Sequence, residues 1–228
     1  MIHLLWATIR PQLFTQMYKI WMERCNPQNV RTYVAVNSQN DSVTVKSILG
    51  KDDKVIIVKT DRKGVCYPSY MLSSQLEGNN DDIVVFASDD FSPPYNWDSY
   101  LLNKLNGREA CLMVNDGYQA LDFSNMAEPV FSIPIMTYSA LVKLNKIIYN
   151  PVYNHLCSDA ELYLNAKDLD LIFDDRINDK NYIFEHHHWS SGKRQADVND
   201  QVYYSNFEND KKTWEKRKKL SLEERLKV

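Results

Sequence analysis

Two adjacent carboxylates follow a strand-like segment in the first half of the chain. Residues 83–87 are Ile-Val-Val-Phe-Ala, a run too short for a helix but typical of a buried strand, and Asp89 and Asp90 follow it after one serine. In an open α/β sheet, ligands bind at the carboxyl ends of the strands. Neighbouring carboxylates repel each other unless a cation lies between them, and all-oxygen sites suit Mg²⁺ or Mn²⁺ together with phosphate oxygens of a substrate. An acidic turn closed by the Pro-Pro pair at 93–94 is the alternative interpretation.

The segments around this pair alternate between strands and helices. Each predicted strand of the first half ends in polar residues, which indicates a parallel, doubly wound α/β sheet. Strands are predicted there over residues 2–9, 30–36, 54–59 and 83–87, and helices over 12–24, 42–49 and 67–76. The second half is less regular: the pattern predicts strands over 110–115 and 181–189, an edge strand or loop over 130–135, and helices over 137–148, from a capping box at 158–161, and from 207 onward.

Length and composition favour one large domain or a domain with a small appendage. The chain has 228 residues, of which 44% are hydrophobic and 25% charged, as in ordinary soluble globular proteins. The formal net charge of −3 argues against a protein whose whole surface binds nucleic acid or an anionic membrane. We find no segment typical of a signal peptide or membrane span, and the four scattered cysteines favour reduced thiols, so we expect a cytoplasmic protein.

Several short motifs occur along the chain in an order that is typical of one enzyme family. They are Thr-Ile-Arg-Pro at 8–11, Asn-Ser at 37–38, Asp-Arg-Lys-Gly at 61–64, Ser-Asp-Asp at 88–90, Pro-Pro-Tyr-Asn-Trp-Asp at 93–98, Asp-Ala-Glu-Leu at 159–162 and the histidines at 186–188. With these motifs the chain resembles the nucleotide-sugar-dependent glycosyltransferases of the GT-A fold, of the inverting family 2 type. The resemblance implies a mixed, mostly parallel sheet flanked by helices. It implies a GT-A domain over 1–205, with a nucleotide-binding half (1–105) and an acceptor-side half (106–205), and a charged helical tail over 206–228.

The resemblance implies a site for Mn²⁺ or Mg²⁺ around the Ser-Asp-Asp motif. Asp90 is the implied metal ligand, and Asp89 is expected near the ribose, the metal or the waters of the metal. In an extended strand alternate residues share a face, so His186 and His188 are expected to point together and to supply a further metal ligand or a diphosphate contact. A solvated, polar strand end is the alternative for the two histidines.

The implied donor is a nucleoside-diphosphate sugar, with UDP as the expected nucleotide. The implied donor contacts are Thr8, Arg10, Asn37, Asp61, Arg62, Gly64 and Asp89, together with Lys193 and Arg194, which are expected to reach the diphosphate or else to be solvated. A glycine at 64 suits a loop that passes close to a ligand, because it has no side chain.

Asp159 is the implied catalytic base, because the family has an acid at the start of the helix that follows the acceptor-side loop. During sugar transfer the acceptor hydroxyl must lose a proton as it attacks, and a single base opposite the leaving group implies direct displacement with inversion. The alternative is that Asp159 only stabilises the helix N-terminus. Trp97, Asp98 and Glu161 are expected to shape the sugar or acceptor pocket, although a tryptophan after Pro-Pro is also typical of a core.

The sequence leaves the acceptor open between a glycan and a hydroxylated base in DNA. The lysine-rich stretch 211–219 is expected either to be a solvated helix or to guide an anionic acceptor. Two other function classes also stay open. A nucleotidyltransferase would normally carry a glycine-rich phosphate loop after its first strand, and residues 8–11 contain no glycine. A non-catalytic nucleotide- or sugar-binding module can share the same fold.

Overall fold

The first half of the chain alternates between strands and helices, as its hydrophobic pattern predicts. The computed structural model describes residues 1–58, 64–117, 129–177, 181–187, 192–193, 195 and 198–228, with only the backbone over 198–205. The elements of the first half are β1 (Ile2–Ala7), α1 (Pro11–Glu23), a 3₁₀ turn (Pro27–Asn29), β2 (Val30–Val36), α2 (Gln39–Lys46), β3 (Lys54–Ile57), α3 (Cys66–Ser74) and β4 (Ile83–Ala87). β1 pairs in parallel with both β2 and β4. All of β4 is buried, since a parallel sheet is covered on both faces.

The second half contains shorter elements and one reversed strand. Its elements are β5 (Phe91–Ser92), α4 (Trp97–Leu105), β6 (Cys111–Met113), β7 (Ile135–Thr137), α5 (Tyr138–Lys143), α6 (Ser158–Asp168), β8 (Ile172–Asp174), β9 (Glu185–His186), α7 (Val198–Arg217) and α8 (Leu222–Arg225). Seven strands form one sheet in the order β3-β2-β1-β4-β7-β6-β8, and among these described strands β7 alone runs antiparallel to its neighbours. β5 and β9 form a separate antiparallel pair. The predicted α/β class with a mixed, mostly parallel sheet is therefore confirmed.

Two helices begin or end at other residues than the sequence predicts, because of local backbone geometry. α5 ends at Lys143 although the apolar spacing continues, since Asn145 and Lys146 adopt left-handed φ values of 54° and 56°. The capping box predicted at the start of α6 is absent. The residue that precedes this helix is Cys157, with a φ of 66°, and Ser158 already lies inside the helix.

Two predicted strands also differ from the structure. The segment 130–135 is predicted as an edge strand or a loop because of Pro134; residues 130–134 lie outside any strand, and β7, which begins at Ile135, lies between β4 and β6. Pro134 precedes the strand, where its missing N–H costs nothing, and its carbonyl accepts a hydrogen bond from Phe86 N at 2.8 Å. The strand predicted over 181–189 is limited, within the described residues 181–187, to the two residues of β9, and its partner β5 is equally short.

An aromatic cluster on one face of the sheet contains Trp97. Its side chain is fully buried, its ring centroid lies 5.0 Å from that of Trp21, and its indole N–H donates to Trp21 O at 2.9 Å. The neighbouring Asp98 is 1% exposed and accepts hydrogen bonds from Asn26 N at 3.2 Å and Asn29 Nδ2 at 2.8 Å. These contacts correct the expectation that Trp97 and Asp98 line a sugar or acceptor pocket, because both side chains are used in packing α4 against α1 and the 3₁₀ turn.

The last two helices, α7 and α8, pack on α6. Arg225 of α8 donates from Nε to Asn165 Oδ1 at 2.7 Å and forms an ion pair with Asp168. A capping box begins α8, since Ser221 and Glu224 bond reciprocally. Among the helices that the structure describes, none is long and apolar enough to cross a membrane.

The buried contacts of Asp98 predict a structural role that unfolding experiments can measure. Replacing Asp98 by alanine leaves two donors unsatisfied, so we expect the free energy of unfolding to fall by about 1–3 kcal/mol. Urea unfolding followed by circular dichroism measures this loss. Asp52→Ala, at an exposed carboxylate, is the control and should change stability by less than about 0.5 kcal/mol. Equal midpoints for the two variants would contradict the structural role.

Candidate functional site

The carboxyl ends of β1 and β4 meet at Asp89. Its Oδ1 accepts a hydrogen bond from Trp6 Nε1 at 2.7 Å, and its Oδ2 accepts from Thr8 Oγ1 at 2.9 Å and from Arg10 Nε at 3.2 Å. Burial raises the pKa of Asp89 to about 6, while the charge of Arg10 and the donors on β1 lower it. Both oxygens of Asp89 are therefore held by the end of β1, and this carboxylate fixes the geometry of the turn that follows β4.

Asp90 points instead towards the short sheet formed by β5 and β9. Its Oδ2 lies 3.4 Å from His186 Nε2, and its Oδ1 accepts a hydrogen bond from Ser88 Oγ. Although burial opposes ionisation, the hydrogen bond and the charge of His186 hold the pKa of Asp90 well below its ordinary value. The side chains of Asp90 and His186 keep 14% and 11% of their surface exposed. The pair is thus partly accessible at the edge of the sheet.

Backbone pairing on two sides holds His186 beside Asp90. Phe91 of β5 lies opposite His186 in the strand register, and its ring stacks on the imidazole with centroids 4.1 Å apart. His187 N donates to Asp90 O at 2.7 Å, and His186 N donates to Asp116 O at 3.0 Å. The chain after β6 and the turn after β4 therefore both position this histidine.

The pair of Asp90 and His186 offers a carboxylate oxygen and an imidazole nitrogen to a divalent cation. The described part of the chain contains no group of three metal-ligating side chains. Mg²⁺ and Mn²⁺ usually take only one or two carboxylates from a protein and complete their shell with substrate phosphates and water. The residues present fit such a cation if a diphosphate supplies the remaining oxygens. His188, which was expected to point the same way as His186, lies outside the described residues.

The expected nucleotide contacts that the structure describes lie at the same sheet edge. Thr8 and Arg10 follow β1, and the exposed Asn37 follows β2, which pairs with β1 in parallel. Asp61 and Arg62 lie outside the described residues, as does Arg194. Lys193 Nζ lies 3.0 Å from Glu185 Oε1, next to His186 in β9. The structure therefore gives Lys193 an ion-pair partner on β9.

Trp6 is a contact of the acidic motif that the sequence analysis missed. Alternate residues of a strand share a face, so Trp6 points to the same side as Thr8. Because Thr8 was already expected at the nucleotide site, this two-residue spacing could have identified Trp6 as a neighbour of Asp89.

Asp159 lies in the first turn of α6 and is half-buried. Burial raises the pKa of Asp159, and the hydrogen bond that its Oδ1 accepts from Ala160 N at 3.0 Å lowers it in part. In the described part of the chain no cation pairs with it. A carboxylate in this setting holds a proton more readily than an exposed one, as a general base requires.

Glu161, two residues further along α6, has a different environment. It is 1% exposed, and its carboxylate accepts hydrogen bonds from Tyr153 Oη at 2.7 Å and from Arg217 Nε and Nη2 at 2.7 and 2.8 Å. This buried ion pair corrects the expectation that Glu161 lines the acceptor pocket, because its carboxylate is covered by the fold and paired with Arg217.

Gly64 ends the loop that the sequence analysis assigned to the nucleotide. Its φ is 112°, and a Cβ added there would lie 2.0 Å from Asn154 O. Asn154 O also accepts a hydrogen bond from Cys66 N at 3.3 Å, and Cys66 Sγ donates to Ser158 Oγ at 3.3 Å. The glycine therefore allows the start of α3 to pack against the segment that leads into α6.

This close approach predicts a large cost for a side chain at position 64. Gly64→Ala combines an unfavourable φ with a backbone clash, so we expect it to lower the free energy of unfolding by more than the roughly 1–2 kcal/mol of a left-handed conformation alone. Gly107→Ala is a matched control, because Gly107 has a φ of 66° and an added Cβ there has no neighbour within 4 Å. Thermal unfolding of both variants measures the difference, and an equal loss would show that the approach to Asn154 is not tight.

The fold is similar to solved structures of glycosyltransferases. The 1–349 segment of S. aureus TarS in complex with UDP matches with a TM-score of 0.60 and 14% identity, over 79% of this chain and 59% of that one. Glucosyl-3-phosphoglycerate synthase from Mycobacterium tuberculosis, in complex with Mn²⁺, UDP and glucosyl-3-phosphoglycerate, matches with a TM-score of 0.53 and 14% identity, over 76% of this chain and 68% of that one. An active-site mutant of LgtC matches with a TM-score of 0.50 and 11% identity, over 76% and 72% of the two chains.

These similarities concern the architecture. This chain spans 59% of the length of the TarS segment that it matches. No protein-family model and no curated protein sequence matches the chain. At these identities the likeness of the backbones establishes a shared fold, while activity depends on the site. The chain has the GT-A glycosyltransferase fold.

Proposed function

We propose that the chain is a metal-dependent, inverting glycosyltransferase that transfers a sugar from a UDP-sugar to an acceptor hydroxyl. The observation that carries this proposal is the arrangement at the carboxyl end of β4. There, Asp89 is anchored by β1 while Asp90 faces His186 at the accessible sheet edge. The fold supports the proposal, because ligands of open α/β sheets bind at this edge. TarS and the mycobacterial synthase were both solved with UDP, and the synthase also with Mn²⁺.

The donor nucleotide is proposed to lie across the ends of β1, β2 and β4, in the half formed by residues 1–105. Arg10 and Asn37 would contact the base or ribose from the ends of β1 and β2. Asp61, Arg62 and Gly64 would line the nucleotide from the next loop. Lys193 and Arg194 would approach the diphosphate from the segment after β9.

Asp90 and His186 are the residues proposed to hold the divalent cation. When bound, such a cation neutralises the charge that develops on a departing diphosphate. Anchoring of Asp89 by Trp6 and Thr8 keeps the turn in place, so Asp90 needs little rearrangement to bind. His188 is a further candidate ligand.

Asp159 is proposed to act as the general base. Its carboxylate would accept the proton of the acceptor hydroxyl as the oxygen attacks the anomeric carbon, which gives direct displacement and inversion. The raised pKa of Asp159 supports this role. The acceptor would enter from the half formed by residues 106–205, with a glycan or a hydroxylated base in DNA as candidates. All four cysteines are unpaired, which supports a reducing, cytoplasmic location.

Thermal shift measurements with nucleotides test the donor site. We expect UDP with Mn²⁺ to raise the melting temperature, because a ligand at a hundred times its dissociation constant stabilises a protein by about 2.7 kcal/mol. GDP, CDP and dTDP are the comparison nucleotides. Asp90→Asn should abolish the Mn²⁺-dependent part of the shift, whereas Asp81→Asn, at an exposed carboxylate, should leave it unchanged. If none of the four nucleotides shifts the wild type, the proposed donor site is refuted.

The pH dependence of turnover tests the proposed base. The rate should fall as the pH drops through the pKa of Asp159, because a base must be deprotonated. Since burial raises this pKa, the fall should begin at a higher pH than for an ordinary aspartate with a pKa of about 3.9. Asp159→Asn should lower kcat by about 10²–10⁴-fold and spare UDP binding.

The readout for the base is the release of UDP from UDP-glucose and UDP-GlcNAc, with water as the acceptor. Loss of both UDP binding and UDP release in Asp159→Asn would indicate a damaged fold. If UDP binds and Asp159→Asn releases it at the wild-type rate, another residue is the base. If the wild type binds UDP but never releases it from either sugar, the chain is better described as a binding module for these two donors.

A further inference from the structure

We infer that helix α7 is a clamp that positions the candidate base, with Asp210 as its central positioning residue. This inference rests on the proposed function for Asp159 and deepens it. The clamp consists of Asp210, Trp214 and Arg217. These residues are spaced i, i+4 and i+7 and therefore share one face of the helix. Asp210 and Trp214 are 1% and 8% exposed, so this face is buried although α7 is rich in charged residues.

The carboxylate of Asp210 accepts hydrogen bonds from three successive backbone amides of the segment 154–156. Its Oδ1 accepts from Asn154 N at 3.0 Å and from Asn154 Nδ2 at 3.3 Å. Its Oδ2 accepts from His155 N and Leu156 N, both at 2.9 Å. Successive N–H groups that point at one anion form a strong, directional site, and hydrogen bonds to a charged acceptor are stronger than neutral ones. A carboxylate of the chain itself occupies this site.

The segment that Asp210 holds leads directly into the first turn of α6. Cys157 is left-handed, and its carbonyl accepts the first helical hydrogen bond from Glu161 N at 3.1 Å. Ser158 Oγ donates back to His155 O at 3.4 Å. Asp159 follows within three residues of the amides that Asp210 binds. A shift of the segment therefore carries the carboxylate of Asp159 with it.

The opposite side of the segment packs against the region assigned to the nucleotide. Asn154 O faces Gly64 and accepts a hydrogen bond from Cys66 N at the start of α3. The segment is thus held between α3 on one side and Asp210 on the other. Its position therefore depends on the start of α3 and on Asp210 of α7.

Arg217 supplies the second contact of the clamp, two helical turns after Asp210. It forms two hydrogen bonds with the buried carboxylate of Glu161, which also accepts from Tyr153 Oη. Asp159 therefore lies between two fixed points, the amides of 154–156 and the carboxylate of Glu161. Such positioning favours reaction, because a displacement of about 1 Å can cost about 10²-fold in rate.

The experiment compares Asp210→Asn with Glu208→Gln, which makes the same carboxylate-to-amide change at an exposed position of the same helix. For Asp210→Asn, we expect kcat for UDP release from UDP-GlcNAc or UDP-glucose to fall by about 10²-fold, while the dissociation constant for UDP with Mn²⁺ stays at the wild-type value. Glu208→Gln should match the wild type in both. Hydrogen exchange at the amides of 154–156 should quicken in Asp210→Asn alone.

Several results would overturn the clamp. One is unchanged exchange at 154–156 in Asp210→Asn, and another is faster exchange with unchanged kcat. Equal losses of UDP affinity and kcat would indicate general damage to the fold. If Asp210→Asn does not fold, Asp210→Glu keeps the charge and displaces the carboxylate by one methylene, and it must show the same split between kcat and UDP affinity.

Failure of the proposed function gives a different pattern. In that case the wild type itself does not release UDP. The exchange measurement still decides whether Asp210 holds the segment 154–156, because it requires no turnover.

Discussion

The buried carboxylate of Asp89 is the interaction on which the candidate site depends. A carboxylate with almost no access to water is costly unless donors surround it, and here the indole of Trp6, the hydroxyl of Thr8 and the guanidinium of Arg10 supply them. All three donors come from the end of β1 and the residues that directly follow it. The adjacent parallel strands β1 and β4 are therefore joined by side chains at their ends as well as by backbone hydrogen bonds along their length. As a result, the turn that exposes Asp90 cannot move independently of the core.

Five acids in and around the candidate site fall into two groups that their sequence spacing does not separate. Asp98, Glu161 and Asp210 are each about 1% exposed and accept between two and four hydrogen bonds within the fold. Asp90 and Asp159 keep some access and bond to few partners. A buried carboxylate needs hydrogen-bond donors. A carboxylate that already accepts several hydrogen bonds from the protein therefore has little hydrogen-bonding capacity left for a substrate. The partly satisfied acids are the ones suited to chemistry.

The sequence predicted the parts of the fold that local pattern determines. The apolar run before Asp89 predicts a buried strand, and alternation of strand and helix predicts a parallel sheet whose polar ends share one edge. The sequence pattern could not assign Glu161 correctly. The partner of Glu161 is Arg217, which lies 56 residues away, and only folding brings the two together. The end of α5 was missed for another reason: Asn145 and Lys146 are non-glycine residues in a left-handed conformation, and neither type requires it.

The single reversed strand of the large sheet has a consequence for how such a protein can change over evolution. Because β7 runs opposite to β4 and β6, the chain leaves the sheet at the end of β6 and returns at the start of β7 on the same edge, the one that carries Asp90. The described ends of this connection are fixed, since Asn115 O and Asp116 O accept hydrogen bonds from Phe184 N and His186 N, and Phe131 is buried. Insertions or deletions between residues 117 and 129 would therefore leave the strand registers and the backbone contacts of His186 unchanged.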